Sequence, residues 1–266
     1  KGLVINRFRG DAIEIATAGG NIIQGNYLGT DAAGLAPAEN TGNGIKISSA
    51  NNLIGGTTDA ARNLISGNGD GIVISDSSAR ENLVQRNYIG CDRNGAVALG
   101  NDLGGDGVRI ALNAANNTIG GTTAGARNLI SGSFANVVIV NTNSSGNLVQ
   151  GNFIGTNVTG TAAIANAGGG VSIGGNNHTV GGATSGAGNL ISGNGGSGIF
   201  ISLGTGNLVQ GNLIGTNAAG TAAVPNQVHG ITLSAGTTNN TIGGTTSEAR
   251  NVISGNQLAG VRLATV

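Results

Sequence analysis

Asp70, Asp102 and Asp106 are the residues of this chain whose type and spacing could do chemistry. Proton transfer and glycoside cleavage need carboxylates held a few ångströms apart, and so does a hard cation such as Ca²⁺. Asp70 and Asp106 each stand directly before a Gly-Φ-x-Φ segment, Gly71 to Ile74 and Gly107 to Ile110. If those segments are neighbouring strands, the two carboxylates lie roughly 5 Å apart. That closeness suits a bound Ca²⁺ or a retaining hydrolytic pair. Asp11 and Asn43 precede equivalent segments, whereas other copies carry Gly169, Ser197, His229 and Ala259. A charge is therefore not kept at this position, and Asp-Gly as a turn signal before a strand is the stronger reading. His178 and His229 have no acid at a repeated spacing and read as surface residues. No catalytic residue is assigned beyond these three weak candidates, and no cofactor is expected unless the cluster holds Ca²⁺.

What must position these side chains is a repeat. The motif Asn147-Leu-Val-Gln-Gly-Asn-Phe-Ile-Gly155 recurs from Asn21, Asn82 and Asn207, at offsets of 61, 65 and 60 residues along the chain. The first apolar residues of the Gly-Φ-x-Φ segments are Ile13, Ile45, Ile72, Val108, Val137, Val171, Ile199, Ile231 and Val261. They are spaced 27 to 36 residues apart, long and short intervals alternating. Period-2 apolar spacing in such short segments marks strands with one inward face. Their middle residues, from Glu14 and Lys46 to Thr232 and Arg262, should face outward. About three short strands per thirty residues, separated by Gly and Asn, suit a coil that stacks on itself at about 4.8 Å per turn. The expected fold is all-β: a parallel β-helix solenoid of about nine coils, one repeat domain over 1–266. A leucine-rich solenoid needs a spacing that is absent, and Ala-rich pieces such as Asp59 to Arg62 are too short for helices.

Composition agrees. The chain has 52 glycines, 2% aromatic and 9% charged residues, but its 38% hydrophobic content is too high for a disordered chain. Twelve Lys and Arg balance twelve Asp and Glu, so no long-range field attracts nucleic acid, and no apolar run of membrane-spanning length appears. The first residues lack a signal-peptide pattern and lie inside a repeat, so a piece of a longer array is expected. The single Cys91 stands where other copies carry Thr30, Thr156 and Thr216 and reads as a small turn residue.

The blocks N-[LI]-[VI]-Q-G-N-x-I-G-T-[DN], N-N-T-I-G-G-T-T-x-x-A-R-N-L-I-S-G-N and G-[IV]-x-I resemble right-handed parallel β-helix repeats of large bacterial secreted and cell-surface proteins. The resemblance covers essentially the whole chain and implies a right-handed coil and an extracellular or surface location. It does not imply one activity, since such solenoids carry lyases, hydrolases, epimerases and adhesins alike.

The asparagines form three sequence columns: Asn52, Asn117, Asn177 and Asn240; Asn63, Asn128, Asn189 and Asn251; Asn26, Asn87, Asn152 and Asn212. Stacked amides that bond along the axis and hold turns explain them better than sugar binding does. Asp31 and Asp92 exchange with Asn157 and Asn217, which argues for a turn role. Arg62, Arg127 and Arg250 share a position and read as solvated charge. Tyr27, Tyr88 and Phe153 share another, with Leu213 as its fourth member, and read as packing or a shallow stripe. The functional expectation is a structural or adhesive spacer, joined end to end to itself or to flanking repeats. Polysaccharide cleavage and glycan binding, with a surface polysaccharide as the partner, are the alternatives. Any site is expected where copies disagree, in the loops after Gly29, Gly90, Gly155 and Gly215 and around Asp70 to Asp106.

Overall fold

The computed structural model describes residues 2–16, 18–101, 105–234 and 236–264. Three sheets run the length of the molecule, with nine, nine and eight strands, and every strand pairs in parallel with the equivalent strand of the coil before and after. The chain is a parallel β-helix. One turn of the coil runs, for example, from Ile45–Ile47 in the second sheet to Leu53–Gly55 in the third and Leu64–Ile65 in the first. No helix is long and apolar enough to cross a membrane among the described residues; Asp59–Ala61 and Ala124–Ala126 are single 3₁₀ turns.

The core is a stack of aliphatic side chains, one set per coil. Ile45, Ile72, Val108, Val137, Val171, Ile199 and Ile231 are in register and fully buried. β-Branched residues suit this geometry because their stiff side chains stand perpendicular to the sheet and meet identical neighbours above and below. The expected outward face of the second sheet is only partly outward. Lys46 Nζ reaches Glu14 Oε1 at 2.9 Å in solvent, but Val73, Val138 and Thr232 are buried. At the rung spacing of a parallel sheet, adjacent side chains on the same face shade one another.

The corners are held by asparagine. The second and third sequence columns interleave in space into one ladder, Asn26, Asn63, Asn87, Asn128, Asn152, Asn189, Asn212 and Asn251. Each Oδ1 accepts both the backbone N–H and the side-chain N–H of the asparagine one coil earlier. The Nδ2 group also donates back to a backbone carbonyl, as Asn128 does to Val84 at 2.8 Å. A second ladder interleaves Asn52, Asn117 and Asn240 with the first residue of the opening motif, Asn21, Asn82, Asn147 and Asn207. A third, unforeseen, joins Asn40, Asn68, Asn101, Ser133, Asn166, Asn194, Asn226 and Asn256. The motif glutamines complete the scheme: Gln24, Gln85, Gln150 and Gln210 donate to the carbonyls of Gly55, Gly120, Gly181 and Gly243. These glycines have positive φ, and a Cβ on Gly181 would overlap the Gln210 carbonyl, so no other residue fits.

Two sequence assignments are corrected here. Asn177 is not a ladder residue. Like Asn51, Asn116 and Asn239 it has positive φ, and the ladder place belongs to His178. His178 is therefore not on the surface: it is fully buried, its Nδ1 accepts the Asn147 N–H at 3.2 Å, and its own N–H donates to Asn207 Oδ1 at 2.8 Å. His229 is also buried, with Nδ1 accepting the Ala259 N–H at 3.0 Å. In both, an unprotonated ring nitrogen takes the acceptor place that a side-chain oxygen fills in other coils.

Candidate functional site

The aspartates of the second sheet come together only in part. Asp106 N–H donates to Asp70 Oδ1 at 2.8 Å, and Asp70 Oδ2 is ion-paired with Arg109 Nη2. Asp102 lies outside the described residues. The same use of the position recurs at Asp11, whose Oδ1 accepts the Asn43 N–H at 2.7 Å and its Nδ2 at 2.8 Å. The turn reading accounts for these contacts: at Asp11, Asp70 and His229 a side-chain acceptor before the strand takes an amide of the next coil. Burial pushes the Asp106 carboxyl up to about 6, the Asp70 charge adds to the rise, and Arg109 opposes it. Below that pH, Asp106 would be a neutral proton donor beside a carboxylate engaged by arginine. The depression on this face, about 580 Å³, is lined by Lys46, Val73, Arg109 and neighbours but by neither aspartate. Among the described residues, no three His, Cys, Asp or Glu side chains are grouped to hold a metal ion.

The loops after the opening motif are not free to vary. Residues 30–38, 91–99, 156–164 and 216–224 adopt one shape, each closed by an antiparallel bridge such as Thr30 to Pro37. The head residue caps it: Asp92 Oδ1 accepts the Ala96 and Val97 amides at 2.7 and 3.0 Å, and Asn217 Oδ1 those of Thr221 and Ala222. An acceptor oxygen suffices, which is why Asp and Asn exchange there. Each loop bonds the next across two coils, with Arg93, Val158 and Ala218 amides donating to Gly34, Gly95 and Gly160 carbonyls at 2.9 Å. Cys91 is fully buried inside one of these loops, where burial pushes its thiol up and leaves it inert.

This loop stack forms one wall of a groove on the outer face of the first sheet. The floor is the register column Tyr27, Leu64, Tyr88, Leu129, Phe153, Leu190 and Leu213. The opposite wall is the pair of 3₁₀ turns and the arginines that follow them. The Arg62 guanidinium lies 4.2 Å above the Tyr88 ring and that of Arg127 lies 4.1 Å above Phe153. These arginines are not loose solvated charges. A ring quadrupole holds each flat against the floor. Arg86 bonds Asp59 Oδ1 through Nε at 3.1 Å and Nη2 at 2.6 Å, and Arg62 pairs with the same carboxylate. Two cavities lie end to end here. One of about 230 Å³ is lined by Tyr27, Asp59, Arg62, Tyr88 and Arg93 among others, and one of about 170 Å³ by Arg62, Arg86, Tyr88, Arg127 and Phe153 among others. Burial, and then Arg86, lower the Arg127 pKa, as expected for a cation crowded by another cation. The stripe anticipated from the aromatic column is thus a groove with a cationic wall. A signal for it was present in the sequence: Arg62 precedes Tyr88 by the same 26 residues that separate Arg127 from Phe153.

No protein-family model and no curated protein matches the chain. Among solved structures, it is similar to the Streptococcus pneumoniae surface protein and adhesin PfbA, at 13% identity over 98% of this chain and 81% of that one, with a TM-score of 0.25. It is also similar to the A-module of the mannuronan C-5 epimerase AlgE6 from Azotobacter vinelandii, at 15% identity over 99% and 87%, TM-score 0.20. A third is QnrB1, a plasmid-mediated fluoroquinolone resistance protein, at 12% identity over 98% and 91%, TM-score 0.17. Scores this low transfer no function.

Proposed function

We propose that the chain is a rigid, non-catalytic spacer of an extracellular or cell-surface protein, acting as a single repeat domain within a longer array. The observation that carries this reading is that a side-chain ladder runs along each of three corners of the coil, with His178 and Ser133 the non-asparagine members. Amide chains that satisfy one coil through the next stiffen the stack along its axis, and chained hydrogen bonds reinforce one another. Nine rungs at about 4.8 Å give a rod of roughly 40 Å. Leu3, Val4 and Ile22 at one end of the stack and Leu258, Val261 and Leu263 at the other expose apolar side chains. Coils of the same kind would cover them, which supports end-to-end joining to further repeats or to a second copy. Small-angle scattering should show rods whose length grows in steps of about 40 Å with concentration. A chain that stays strictly monomeric at high concentration removes the self-stacking part of this reading.

The raised Asp106 carboxyl favours one alternative, cleavage of a polysaccharide by the Asp70 and Asp106 pair. Turnover of any polysaccharide that Asp106→Ala abolishes would establish it and defeat the non-catalytic reading. The spacer reading expects no turnover by either protein.

A further inference from the structure

The groove on the first sheet has features that a spacer does not require. Its wall and floor place an arginine on an aromatic ring twice, two coils apart, which is roughly 10 Å along the axis. The lining of the two cavities includes four arginines, Arg62, Arg86, Arg93 and Arg127, against one acid, Asp59. Asp59 is already shared by Arg62 and Arg86. Arg127 has no acid within ion-pair range among the described residues, and its Nε donates to the Gly151 carbonyl at 3.3 Å. Its two terminal nitrogens therefore have donors to spare, on a guanidinium already fixed in orientation by Phe153.

A fixed planar fork of N–H donors matches a carboxylate better than any other common biological anion group except phosphate. The two-coil repeat is too long for one small anion to touch both arginines but matches an extended 1,4-linked disaccharide. The chain's net charge is zero, so attraction here is local to the groove and not a property of the whole surface. The groove is also bounded. The next coil pair has Gly188 in place of the arginine and Leu213 in place of the aromatic residue.

We propose that this groove binds a linear polyuronate lying along the axis of the coils, one disaccharide per pair of coils, with alternate carboxylates on Arg62 and Arg127. The aromatic rings hold the guanidinium groups in place, and the stacked loops confine the polymer to the axial direction. The site lies on a different face from the Asp70 and Asp106 pair and does not depend on the spacer role.

Calorimetric titration of the full chain with hexagalacturonate, digalacturonate and neutral maltohexaose tests the proposal. Hexagalacturonate should bind, weaken as salt is raised, and bind about tenfold or more tighter than the dimer, because only it reaches both arginines. Arg127→Gln should weaken hexagalacturonate about tenfold, the loss of one charge-assisted contact. Phe153→Leu keeps every charge and installs the residue found at Leu213, so it should fold; freeing the guanidinium should cost a few-fold in affinity. Arg262→Gln, on an exposed residue of the second sheet, should change nothing. The proposal is overturned if hexagalacturonate does not bind, if maltohexaose binds as well, or if Arg262→Gln weakens binding as much as Arg127→Gln does. Should Arg127→Gln fail to fold by circular dichroism, unchanged affinity in Phe153→Leu overturns the proposal on its own.

Discussion

His178 interrupts a ladder of asparagines, and replacing it with asparagine should repair the ladder. In the two coils before it the ladder amide does two things: Oδ1 accepts two N–H groups from the coil before, and Nδ2 donates to the carbonyl three residues ahead of the preceding ladder residue. Asn117 thus reaches Ala79 at 3.0 Å and Asn147 reaches Ala114 at 3.1 Å. His178 accepts from only one group, the Asn147 N–H, and its buried Nε2 has no partner. Burial lowers the His178 pKa to about 4 from an ordinary 6.5, and the Ser144 carbonyl, the equivalent acceptor, opposes that fall. In His178→Asn the new Nδ2 can donate to Ser144 and the orphaned ring N–H is removed. Removing a buried unsatisfied donor is worth about 1–3 kcal/mol, from which the gap left by a smaller side chain takes about 1 kcal/mol. The net expectation at neutral pH is about 1 kcal/mol of added stability.

Acid should widen that gap. The folded state binds the His178 proton less readily than the unfolded state does, so between pH 6.5 and about 4 the unfolded chain carries more protons and stability falls as pH falls. The full loss is about 3 kcal/mol, complete below pH 4 and absent above 6.5. The asparagine variant lacks this loss, so its advantage should rise from about 1 to about 4 kcal/mol between neutral pH and pH 4. Urea denaturation of both proteins at the two pH values, followed by circular dichroism, measures the difference. Asp106 titrates in the same range, but it is common to both proteins and cancels. Amide exchange at Asn147 gives the local version, which matters because coils of a solenoid need not unfold together. If the advantage of the variant is the same at both pH values, a buried neutral histidine is not what destabilises this coil in acid.

Asn128→Ala in the middle of the ladder that runs from Asn26 to Asn251 removes the acceptor of two Asn87 donors and the donors to Val84 and Asn152. It should cost about 3–4 kcal/mol in urea denaturation, while Asn251→Ala at the partly exposed end of the same ladder should cost less than half as much. Asp106→Asn should stabilise the neutral-pH protein by about 2 kcal/mol, since charging Asp106 is disfavoured by burial and by Asp70. The sign follows from a folded value above the ordinary 3.8: the folded state holds its proton more tightly, so stability falls as pH rises from 3.8 to about 6. The gain should vanish below pH 3.8 in the same denaturation series.

Sequence alone reveals the coil because each turn repeats the same inward apolar residues, and the sheets follow from their spacing. It reveals the ladders only by halves. Coils alternate in length, so aligning like with like separates Asn26, Asn87, Asn152 and Asn212 from Asn63, Asn128, Asn189 and Asn251, although in space they alternate in one file. The ladder of Asn40 and Asn68 is hidden for a similar reason, since its members close different motifs. His178 was misplaced because Asn176-Asn177-His178 offers two amides, and only backbone dihedrals show that Asn177 occupies the positive-φ turn position and His178 the ladder.

The groove was missed for a different reason, and the reason bears on where function sits in such a chain. Arg62 and Tyr88 belong to successive coils, so a repeat alignment places them in separate columns and assigns each a bland role. Only stacking brings the guanidinium over the ring. The loops after Gly29, Gly90, Gly155 and Gly215 keep one shape through Asp-to-Asn exchange, since only an acceptor oxygen is needed. The exchanges that alter chemistry are Gly188 for arginine and Leu213 for an aromatic residue. Leu213 stands on the outward column of the first sheet, but a Cβ at Gly188 would overlap the Gly211 carbonyl, so that coil has no room for the arginine unless the backbone shifts. The floor residue can therefore exchange between coils without touching the core, whereas an arginine at Gly188 would require the Gly211 backbone to move, and an aspartate at the Asp70 position is bound up with holding the next coil. The proposed polyuronate groove lies on the outward column of the first sheet.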